Sequence, residues 1–525
     1  MRMSNRPNFL LFITDQQRAD HVGAYGNREV ATPHLDALAA RGWRNERFFV
    51  AAPLCMPNRA SLLTGRMPTA HGVRVNGVSL SAQTVTFTDL LRETGYATAL
   101  IGKAHLQNIT DLSAAWKASG TVGEARREYL GSRYEREFGP AWRRGRVVDE
   151  AEPYYGFEHV QFVINHGDDV DGHYREWLRL HHPGFETLVG PEHAIPTPDI
   201  ELVGLRQAWR TRLPEELYST AWIADRTIDY LKQRAQDEKP FFIQCSFPDP
   251  HHPFTPPGRY WDMYRPDDVE LPTSFHTTTP RPPHVQWLHA QRDAGRVPKG
   301  GHAAFAASER QAREAIALNY GSITNIDTQI GRVLTELAQL GLDRDTVVIF
   351  TSDHGEFMGD HQLLLKAPLH YQGLVRCPLI WADPKANGPG TSQAMTQTID
   401  LAPTILERAG VTPYNGIQGH SLLPLMRGEA AAVRDSVLIE DESQRTALGI
   451  DKRLRMRTLV SDRYRLSVYD GAQWGELYDL QEDPGEERNL WSQPESAAVR
   501  HELMERLMRQ MLASVDTSPL PTSVA

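Results

Sequence analysis

The sequence predicts an α/β fold in which a large, mainly parallel sheet is sandwiched by helices and a small antiparallel sheet follows near the C-terminus. Short apolar runs such as NFLLFIT and TVVIFTS alternate with longer stretches of helical length. This alternation is typical of strands that helices cover on both faces. After about residue 410 it gives way to short strand-like runs and one terminal amphipathic stretch, which favours an antiparallel unit.

The 525 residues are enough for one large domain and one smaller domain. We predict a catalytic domain over residues 1–410 and a C-terminal α+β subdomain over residues 411–525. Two polar stretches, near 107–212 and 266–301, break the alternation. We interpret them as excursions that cover or flank a site, with solvent-exposed loops as the alternative.

Charge and hydropathy restrict the partners of the chain. The net charge is −10 and there is no polybasic run, so we expect neither nucleic acid nor an anionic membrane surface as a partner. No window approaches the ~20 apolar residues of a membrane span, and the first apolar run is too short for a signal peptide. We therefore expect a cytoplasmic protein.

The stretch RHELMERLMRQMLASV has an apolar stripe that would pack on its own domain or, alternatively, in a homo-oligomer.

Several elements carry local signals. In TPHLDALAARG, Thr32 suits a helix cap, Pro33 the first helical position and Gly42 the stop. Each of the runs YATALIG, FFIQCSF and TVVIFTS follows an amphipathic stretch. Cys245 and Cys377 lie in such apolar runs, and we interpret both as buried small side chains. With Cys55 they are too widely spaced for a disulfide framework.

Polar residues follow the predicted strands at their carboxyl ends, where ligands gather in parallel sheets. Asp15 and Gln16 follow the first strand, and Asp353 and His354 follow TVVIFTS. Either pair alone would also suit a cap or a turn. Together, two carboxylates, an amide and an imidazole predict a site for a divalent cation.

Two further strand ends carry cationic groups. Lys103 and His105 follow YATALIG, and alternate residues of an extended segment point the same way, so the pair would face one anion; solvated side chains are the alternative. In PDPHHPF, prolines restrict the loop that holds His251 and His252, and we expect one of the two in the site. Lys366 follows the Asp353-His354 pair after a short loop, which would return it to the same place.

The stretch AAPLCMPNRASLLTGR places Cys55 at the start of a predicted helix. Pro57 suits the first turn and Gly65 the end, so the N–H groups around Cys55 would favour an anion. Arg59 adds a planar fork of donors suited to sulfate or phosphate oxygens. The same charges would lower the pKa of the thiol, which makes a thiolate nucleophile an alternative. Sulfur is a poor partner for a hard cation, so this alternative fits the oxygen-rich site badly.

The string CMPNR followed by ASLLTG resembles the signature of the sulfatase family, within the alkaline phosphatase superfamily. The resemblance extends to NFLLFITDQQRAD, GYATALIGKAHL, PHHPF and ELYDLQEDPGEERNL, and it implies an alkaline-phosphatase-like fold. It also implies that a formylglycine-generating enzyme oxidises Cys55 to 3-oxoalanine (formylglycine), whose hydrated aldehyde is a gem-diol. A diol oxygen would attack the sulfur of a small-molecule sulfate ester and displace its alcohol.

The resemblance further implies roles for the residues at the strand ends. Asp15, Gln16, Asp353 and His354 would bind one divalent metal ion together with a diol oxygen from residue 55. Arg59 would hold the diol, and Lys103 and Lys366 would bind the sulfate oxygens. His251 would protonate the leaving oxygen, and His105 would accept the proton whose loss allows sulfate to leave. Asn76 would be a further substrate contact.

The metal-ligand pairs depart from the pattern of typical arylsulfatases, which have Asp-Asp and Asp-Asn. The pairs Asp15-Gln16 and Asp353-His354 carry less negative charge and add a nitrogen, so we expect Mn²⁺ as the alternative to the Ca²⁺ that is usual for sulfatases. The same pairs resemble phosphonate monoester hydrolases and choline sulfatases, whereas Lys103 and His105 do not match the phosphonate hydrolases.

These mixed signals leave three hypotheses about function. The first is an arylsulfatase-type enzyme for sulfate monoesters that also accepts phosphonate monoesters and phosphodiesters. The alternative is a phosphonate monoester hydrolase or phosphodiesterase as the main activity. An inactive binding relative would show damage to the Cys55 motif, and none is visible. The alcohol part of the substrate has no recognisable pattern.

Overall fold

The elements of the chain follow the predicted alternation. The computed structural model describes residues 6–112, 132–145, 152–386 and 388–523. Its strands are β1 (Asn8–Thr14), β2 (Trp43–Phe49), β3 (Ala97–Gly102), β4 (His159–Ile164), β5 (Asp171–Gly172), β6 (Phe241–Ser246), β7 (Phe305–Ala306), β8 (Thr346–Ser352), β9 (Leu363–Leu364), β10 (Arg376–Ala382), β11 (Gly390–Ser392), β12 (Thr396–Gln397), β13 (Ser436–Thr446), β14 (Arg453–Ser461), β15 (Tyr464–Tyr469) and β16 (Gly475–Asp479). Its α-helices are α1 (Pro33–Arg41), α2 (Cys55–Thr64), α3 (Pro68–His71), α4 (Phe87–Glu93), α5 (Gly139–Arg143), α6 (His173–His181), α7 (Glu201–Gly204), α8 (Ser219–Arg234), α9 (Pro283–Asp293), α10 (Glu309–Gln339), α11 (Gln372–Val375), α12 (Leu401–Ala409), α13 (Leu423–Met426) and α14 (Ala497–Ala513).

Ten strands form one large, mixed sheet. Its order is β11-β2-β10-β8-β1-β6-β3-β4-β5, and β12 pairs with β2. The central strands β8, β1, β6, β3 and β4 are parallel to one another, whereas β10 runs antiparallel to both of its neighbours. The predicted fold class, a large and mainly parallel sheet, is confirmed.

Helices cover both faces of this sheet, as the apolar runs predicted. Successive residues of β1 alternate between two hydrophobic clusters. Phe9 and Leu11 pack on the side of α2, α4 and α12. Leu10 and Phe12 pack on the side of α1, α8 and α10. A strand buried on both faces needs apolar residues throughout, which explains the unbroken run NFLLFIT.

The two helices with the clearest local signals begin and end where they were predicted. Helix α1 starts at Pro33 and stops before Gly42. Helix α2 starts at Cys55 and ends at Gly65, whose φ of 60° lies in the left-handed region that glycine adopts without strain. The predicted position of Cys55 at a helix N-terminus is therefore confirmed.

The small C-terminal sheet is antiparallel, in the order β13-β14-β15-β16. Helix α14 packs on it through Leu503 and Leu507, whereas Met508 and Leu512 are exposed. Part of the apolar stripe of α14 is thus used within its own chain, and a homo-oligomer stays a prediction. Residues of β13 and β14 also belong to the cluster that contains β1 and α2, and the domain boundary at residue 410 stays a prediction.

The two predicted excursions contain regular elements. The first, near 107–212, includes β4, which pairs with β3 and so belongs to the main sheet; its run HVQFVI is mixed in polarity and gave no strand signal. Residues 113–131 and 146–151 of this excursion lie outside the described residues. The second, near 266–301, includes α9. Among the described residues, no helix is long and apolar enough to span a bilayer.

Candidate active site

The polar residues that follow β1, β3, β6 and β8 meet at one edge of the sheet. Strand pairing sets Thr14 opposite Ser352, and Ser246 opposite both Ile13 and Gly102. At Gly102 a Cβ would lie 1.8 Å from the carbonyl oxygen of Ser246, so only glycine permits this approach. The chain therefore delivers the next residues of each strand to a common, buried place.

The thiol of Cys55 lies in the middle of this group. Its Sγ is 3.2 Å from Nε2 of His354 and 3.6 Å from Oδ1 of Asp15. The ammonium group of Lys366 donates to the same sulfur at 3.1 Å. The thiol is 1% exposed. Burial and Asp15 oppose its ionisation, but Lys366, Lys103 and His354 lower the pKa of the thiol below its ordinary value.

Four of the five predicted metal ligands offer atoms that converge. One ligand atom from each of Asp15, Cys55, Asp353 and His354 lies within 4.8 Å of the others, and all four residues are buried. The Nδ1 of His354 bonds the carbonyl of Gly355 at 2.8 Å, which turns Nε2 towards the group in the manner of a metal-bound histidine.

The fifth predicted ligand, Gln16, lies beside them. Its backbone N–H donates to Oδ1 of Asp353 at 3.1 Å, and its Nε2 contacts Nδ1 of His252 at 3.1 Å. Its Oε1 is buried without a hydrogen-bond partner among the described residues. A buried oxygen without a partner, next to two carboxylates and an imidazole, fits a hard divalent cation.

The guanidinium of Arg59 bonds two carboxylates of the site. Its Nε donates to Oδ2 of Asp353 at 2.7 Å, and its Nη2 donates to Oδ2 of Asp15 at 3.4 Å. Its Nη1 donates to the carbonyl of Lys103 and the hydroxyl of Ser246. All three nitrogens thus bond to protein groups, and Arg59 holds two carboxylates in place. The predicted contacts of Arg59 with the diol and with sulfate or phosphate oxygens stay predictions.

Lys103 lies where it was predicted, but His105 does not follow the predicted geometry. The ammonium group of Lys103 pairs with Oδ2 of Asp15 and Nε2 of His166. His105 has a φ of 54°, so the segment is not extended and the alternation of an extended segment does not apply to this pair. The backbone N–H of His105 donates to Glu137 at 2.5 Å, and its ring centroid is 6.4 Å from that of His166.

Lys366 joins the metal-ligand group to the histidines of the PHHPF loop. Its Nζ is 3.0 Å from Nε2 of His354 and 3.1 Å from Nε2 of His251, so the predicted return of this loop is confirmed. His252 contacts Gln16, as described above. Both histidines therefore border the site, whereas one was expected.

Asn76 supports α2. Its Oδ1 accepts the backbone N–H of Met56 at 3.1 Å, one of the N–H groups that the first turn of a helix leaves without a partner. The side chain therefore caps the helix that begins at Cys55. Asn76 also lines a cavity next to Lys366.

Two histidines of the site were not predicted. The ring of His166 stacks on that of His251 with centroids 3.6 Å apart, and its Nε2 is 3.8 Å from Oδ2 of Asp15. His302 reaches the site from an exposed loop, with Nδ1 2.9 Å from Nε2 of His252. Each is a single histidine in a polar loop, and nothing in its sequence neighbours indicates its partners.

The charges around the site set its protonation states. Burial opposes ionisation of Asp15, but Lys103 and Arg59 hold the pKa of its carboxyl well below the usual range. Burial and the charge of Lys103 hold the pKa of the His105 imidazole well below its ordinary value. Burial, His166 and Lys366 do the same for the pKa of the His251 imidazole. The site therefore combines an ionised carboxylate with neutral imidazoles at His105 and His251. At His354, burial and Lys366 oppose protonation, but Asp353 and Cys55 raise the pKa of the imidazole above its ordinary value.

A cavity of about 420 Å³ opens next to Lys366. Its lining includes Leu54, Asn76 and His302 on the side of the site. Its outer walls come from α9, from the loop before β7 and from the end of β13. A cavity of this volume is in the range of small-molecule sites.

Family comparisons agree with this architecture. A family model described as Sulfatase matches residues 7–411. A second model, described as N-sulphoglucosamine sulphohydrolase, C-terminal, matches residues 359–513.

Individual relatives cover nearly the whole chain. The chain is 29% identical to an arylsulfatase of Clostridium perfringens, over 92% of this chain and 90% of the relative. It is 28% identical to the multifunctional alkaline phosphatase superfamily protein PehA of Trinickia caryophylli, over 97% of this chain and 96% of the relative.

Solved structures share the fold over nearly the full length. The phosphonate monoester hydrolase of Agrobacterium radiobacter matches with a TM-score of 0.78 and 26% identity, over 99% of this chain and 98% of that chain. A protein in complex with its substrate D-glucosamine-2-N,6-O-disulfate matches with a TM-score of 0.72, over 99% of this chain and 100% of that chain. At 22% identity, the second likeness shows the fold alone.

Proposed function

This chain belongs to the sulfatase family, a family of sulfuric ester hydrolases, and on that premise we propose that it hydrolyses sulfate monoesters of the arylsulfatase type through a formylglycine made from Cys55. One arrangement carries the proposal. The Sγ of Cys55 lies at the first residue of α2, in one buried group with Asp15, Asp353 and His354 and 3.1 Å from Nζ of Lys366.

The residues of this group suit the cofactors that the family uses. Asp15, Gln16, Asp353 and His354 would hold one divalent cation, which we propose to be Ca²⁺ with Mn²⁺ as the alternative. When bound, the cation supplies a Lewis acid beside residue 55, whose hydrated aldehyde supplies a hydroxyl nucleophile. Arg59 would hold the two carboxylates in the orientation that the cation requires, through the contacts described above.

The two lysines would bind the anionic group of the ester. Lys366 lies 3.1 Å from the sulfur that marks the position of the nucleophile, and Lys103 approaches from the side of Asp15. Preorganised cations of this kind stabilise the charge that develops on the transferred group.

Two histidines would move protons. The Nδ1 of His251 bonds the carbonyl of His252, so Nε2 is the nitrogen that faces Lys366 and the leaving oxygen. An anionic ester next to this imidazole raises its pKa, and the protonated ring then protonates the leaving alcohol. His105 would act as the base that allows sulfate to leave, since its neutral ring has a buried Nδ1 without a partner among the described residues.

A phosphonate monoester hydrolase is the second candidate. Its support is the Asp-Gln and Asp-His ligand pairs and the likeness to the phosphonate monoester hydrolase of Agrobacterium radiobacter. Phosphonate monoesters and phosphodiesters carry one negative charge, as sulfate monoesters do, so the same two lysines would bind them. We propose these esters as secondary substrates.

The test is a ratio of kcat/KM values for an aryl sulfate and an aryl phosphonate monoester with the same leaving group. The protein is first shown by mass spectrometry to carry the aldehyde at residue 55. We expect the sulfate to be preferred. A preference for the phosphonate would make the second candidate the main activity, and an unmodified, fully active Cys55 would overturn the formylglycine assignment. The maturation enzyme and the cytoplasmic location stay predictions.

A further inference from the structure

The cavity next to Lys366 has walls from three separate parts of the chain. Helix α9 contributes Trp287 and Leu288, the segment 296–306 a second wall, and the stretch 441–448 at the end of β13 a third. Lys366 lies at the inner end of the cavity and also contacts the sulfur of Cys55. An ester whose anionic group lies against Lys366 therefore has this cavity available for its alcohol part.

The acidic groups of this lining are already paired within the protein. The carboxylate of Asp441 lies 3.3 Å from Nε2 of His370. The carboxylate of Glu442 pairs with Arg74 at 2.9 Å and with Arg457 at 3.5 Å. A cationic alcohol would have to compete with these partners.

Three further polar side chains of the lining are also engaged. Arg292 donates to the side chain of Gln362 at 2.8 Å, Arg296 donates to Gln291 at 2.8 Å, and the hydroxyl of Ser443 accepts the backbone N–H of Leu454. A sugar needs many hydrogen-bond partners when it is buried. The hydrogen bonds that these side chains already make leave them few donors and acceptors for a sugar.

The remaining lining is mostly apolar, apart from Asn76, His302, Lys366, Gln444 and Thr446. It includes Leu54, Trp287, Val297, Ala304, Pro368 and Leu448. Trp287 is 39% exposed, a large exposure for this side chain. The ring of Trp287 lies against Gly449, where a Cβ would be 2.5 Å from Cδ1 of the tryptophan, so a residue without a side chain at 449 allows the ring to lie there. The volume of about 420 Å³ is well above the ~150 Å³ in which an apolar cavity holds one benzene ring.

From this lining and volume we propose that the cavity binds an uncharged, polycyclic apolar alcohol of two or three fused rings, with one ring stacked on Trp287. The proposal rests on the proposed function, because it assigns the alcohol part of the ester that the same site hydrolyses. Trp287 is then a specificity-determining residue, contributed by the second excursion, and Leu448 is its counterpart from the turn between β13 and β14.

The first experiment compares phenyl sulfate with 2-naphthyl sulfate, whose leaving groups are of similar acidity. We expect kcat/KM to be about tenfold or more higher for the naphthyl ester, mainly through a lower KM, because the second ring enters the apolar cavity. Equal values for the two esters would contradict the proposal.

The second experiment uses the variant Trp287→Ala. We expect kcat/KM for the naphthyl ester to fall about tenfold while that for the phenyl ester falls less than threefold. The retained phenyl activity shows that the variant is folded. The matched control is Trp177→Ala, which removes a partly buried tryptophan of α6 outside this lining and is expected to lower both rates equally or not at all. An equal loss on both esters in Trp287→Ala would contradict the stacking.

Direct binding separates this proposal from the proposed function. Calorimetric titration with 2-naphthol needs no turnover, and we expect binding that is lost in Trp287→Ala and kept in Trp177→Ala. Glucosamine serves as the sugar probe and is expected not to bind. If no sulfate or phosphonate ester is hydrolysed but 2-naphthol binds in this pattern, the function fails and the cavity assignment holds. If the esters are hydrolysed but 2-naphthol does not bind, or glucosamine binds in its place, the cavity assignment fails alone.

Discussion

At the scale of single residues, Lys366 connects the two halves of the site. Its Nζ lies between 3.0 and 3.1 Å from the thiol of Cys55 and from Nε2 of both His251 and His354. Three groups from three different segments thus depend on one buried cation. The sequence predicted that the loop of Lys366 would return to the site, but it did not predict which groups Lys366 would contact there.

We expect Lys366→Met to lower kcat/KM for an aryl sulfate by roughly 10²- to 10³-fold, because the transition state loses a preorganised cation. The aldehyde content of residue 55 should stay unchanged, since the Cys55 motif is intact. Steady-state kinetics with mass spectrometry of the residue 55 peptide make the comparison. The control is Lys385→Met, a surface lysine paired with Asp345, which should keep full activity. Similar activity in both variants would remove Lys366 from the proposed mechanism.

Glu356 makes the stability depend on pH. Burial raises the pKa of its carboxyl to about 8; its Oε1 accepts the N–H of Leu365, and its Oε2 has no partner among the described residues. Between about pH 5 and 8 the folded state keeps a proton that the unfolded state has lost. The contribution of Glu356 to the free energy of unfolding therefore falls as pH rises, by up to about 1.4 kcal/mol per pH unit.

The variant Glu356→Gln tests this dependence. The amide mimics the protonated carboxyl and does not titrate, so the variant should gain stability relative to the natural protein as pH rises from 5 to 8 and then level off. Urea unfolding in the presence of a chelator measures the difference at each pH. A difference that is constant across this range would show that Glu356 is ionised in the folded protein.

At the scale of elements, the start of α2 determines the position of Cys55. Asn76 caps this turn through Met56, and a lost cap of this kind costs typically ~1 kcal/mol. We expect Asn76→Ala to lower the free energy of unfolding by about this amount, whereas Asn76→Asp keeps the acceptor oxygen and should lose less. Denaturant titration checks both. If the two variants are equally stable but differ in KM, Asn76 acts as a substrate contact and not as a cap.

The elements that were predicted correctly have short-range signals. Helix α1 has Pro33 at its start and Gly42 at its end, and α2 has Gly65 in the left-handed conformation. Parallel strands also bring their carboxyl ends to one edge of the sheet, so Asp15 and Asp353 could be predicted at the same edge from the sequence.

The remaining features depend on contacts between distant segments. Strand β4 has no apolar run of its own, and it is stabilised by pairing with β3. The partners of Arg59 are two carboxylates that lie 44 and 294 residues away in the chain. His166 and His302 become part of the site only because their loops fold back on the His251-His252 pair. No local pattern contains this information.

At the scale of the whole molecule, the C-terminal sheet is tied to the catalytic edge of the main sheet. The backbone N–H of Glu440 in β13 donates to the carbonyl of Ala51 at 2.9 Å, four residues before Cys55. The carboxylate of Glu440 accepts from Thr69. Buried residues of β13 and β14 share a hydrophobic cluster with those of β1 and α2. The end of β13 also lines the cavity.

These contacts predict that residues 1–410 do not form a stable enzyme alone, although 410 was predicted as a domain boundary. Removal of residues 411–525 exposes the apolar cluster that is shared with β13 and β14. It also removes Arg434, which pairs with the carboxylate of Asp400. Such losses are comparable with the whole stability of a typical domain. We expect the fragment 1–410 to be insoluble or to lack native near-ultraviolet circular dichroism, and co-expression with the fragment 411–525 to restore soluble protein and activity. The full chain purified in parallel is the control. A fragment 1–410 that is soluble, shows native circular dichroism and binds the divalent cation as the full chain does would prove that the catalytic domain folds independently.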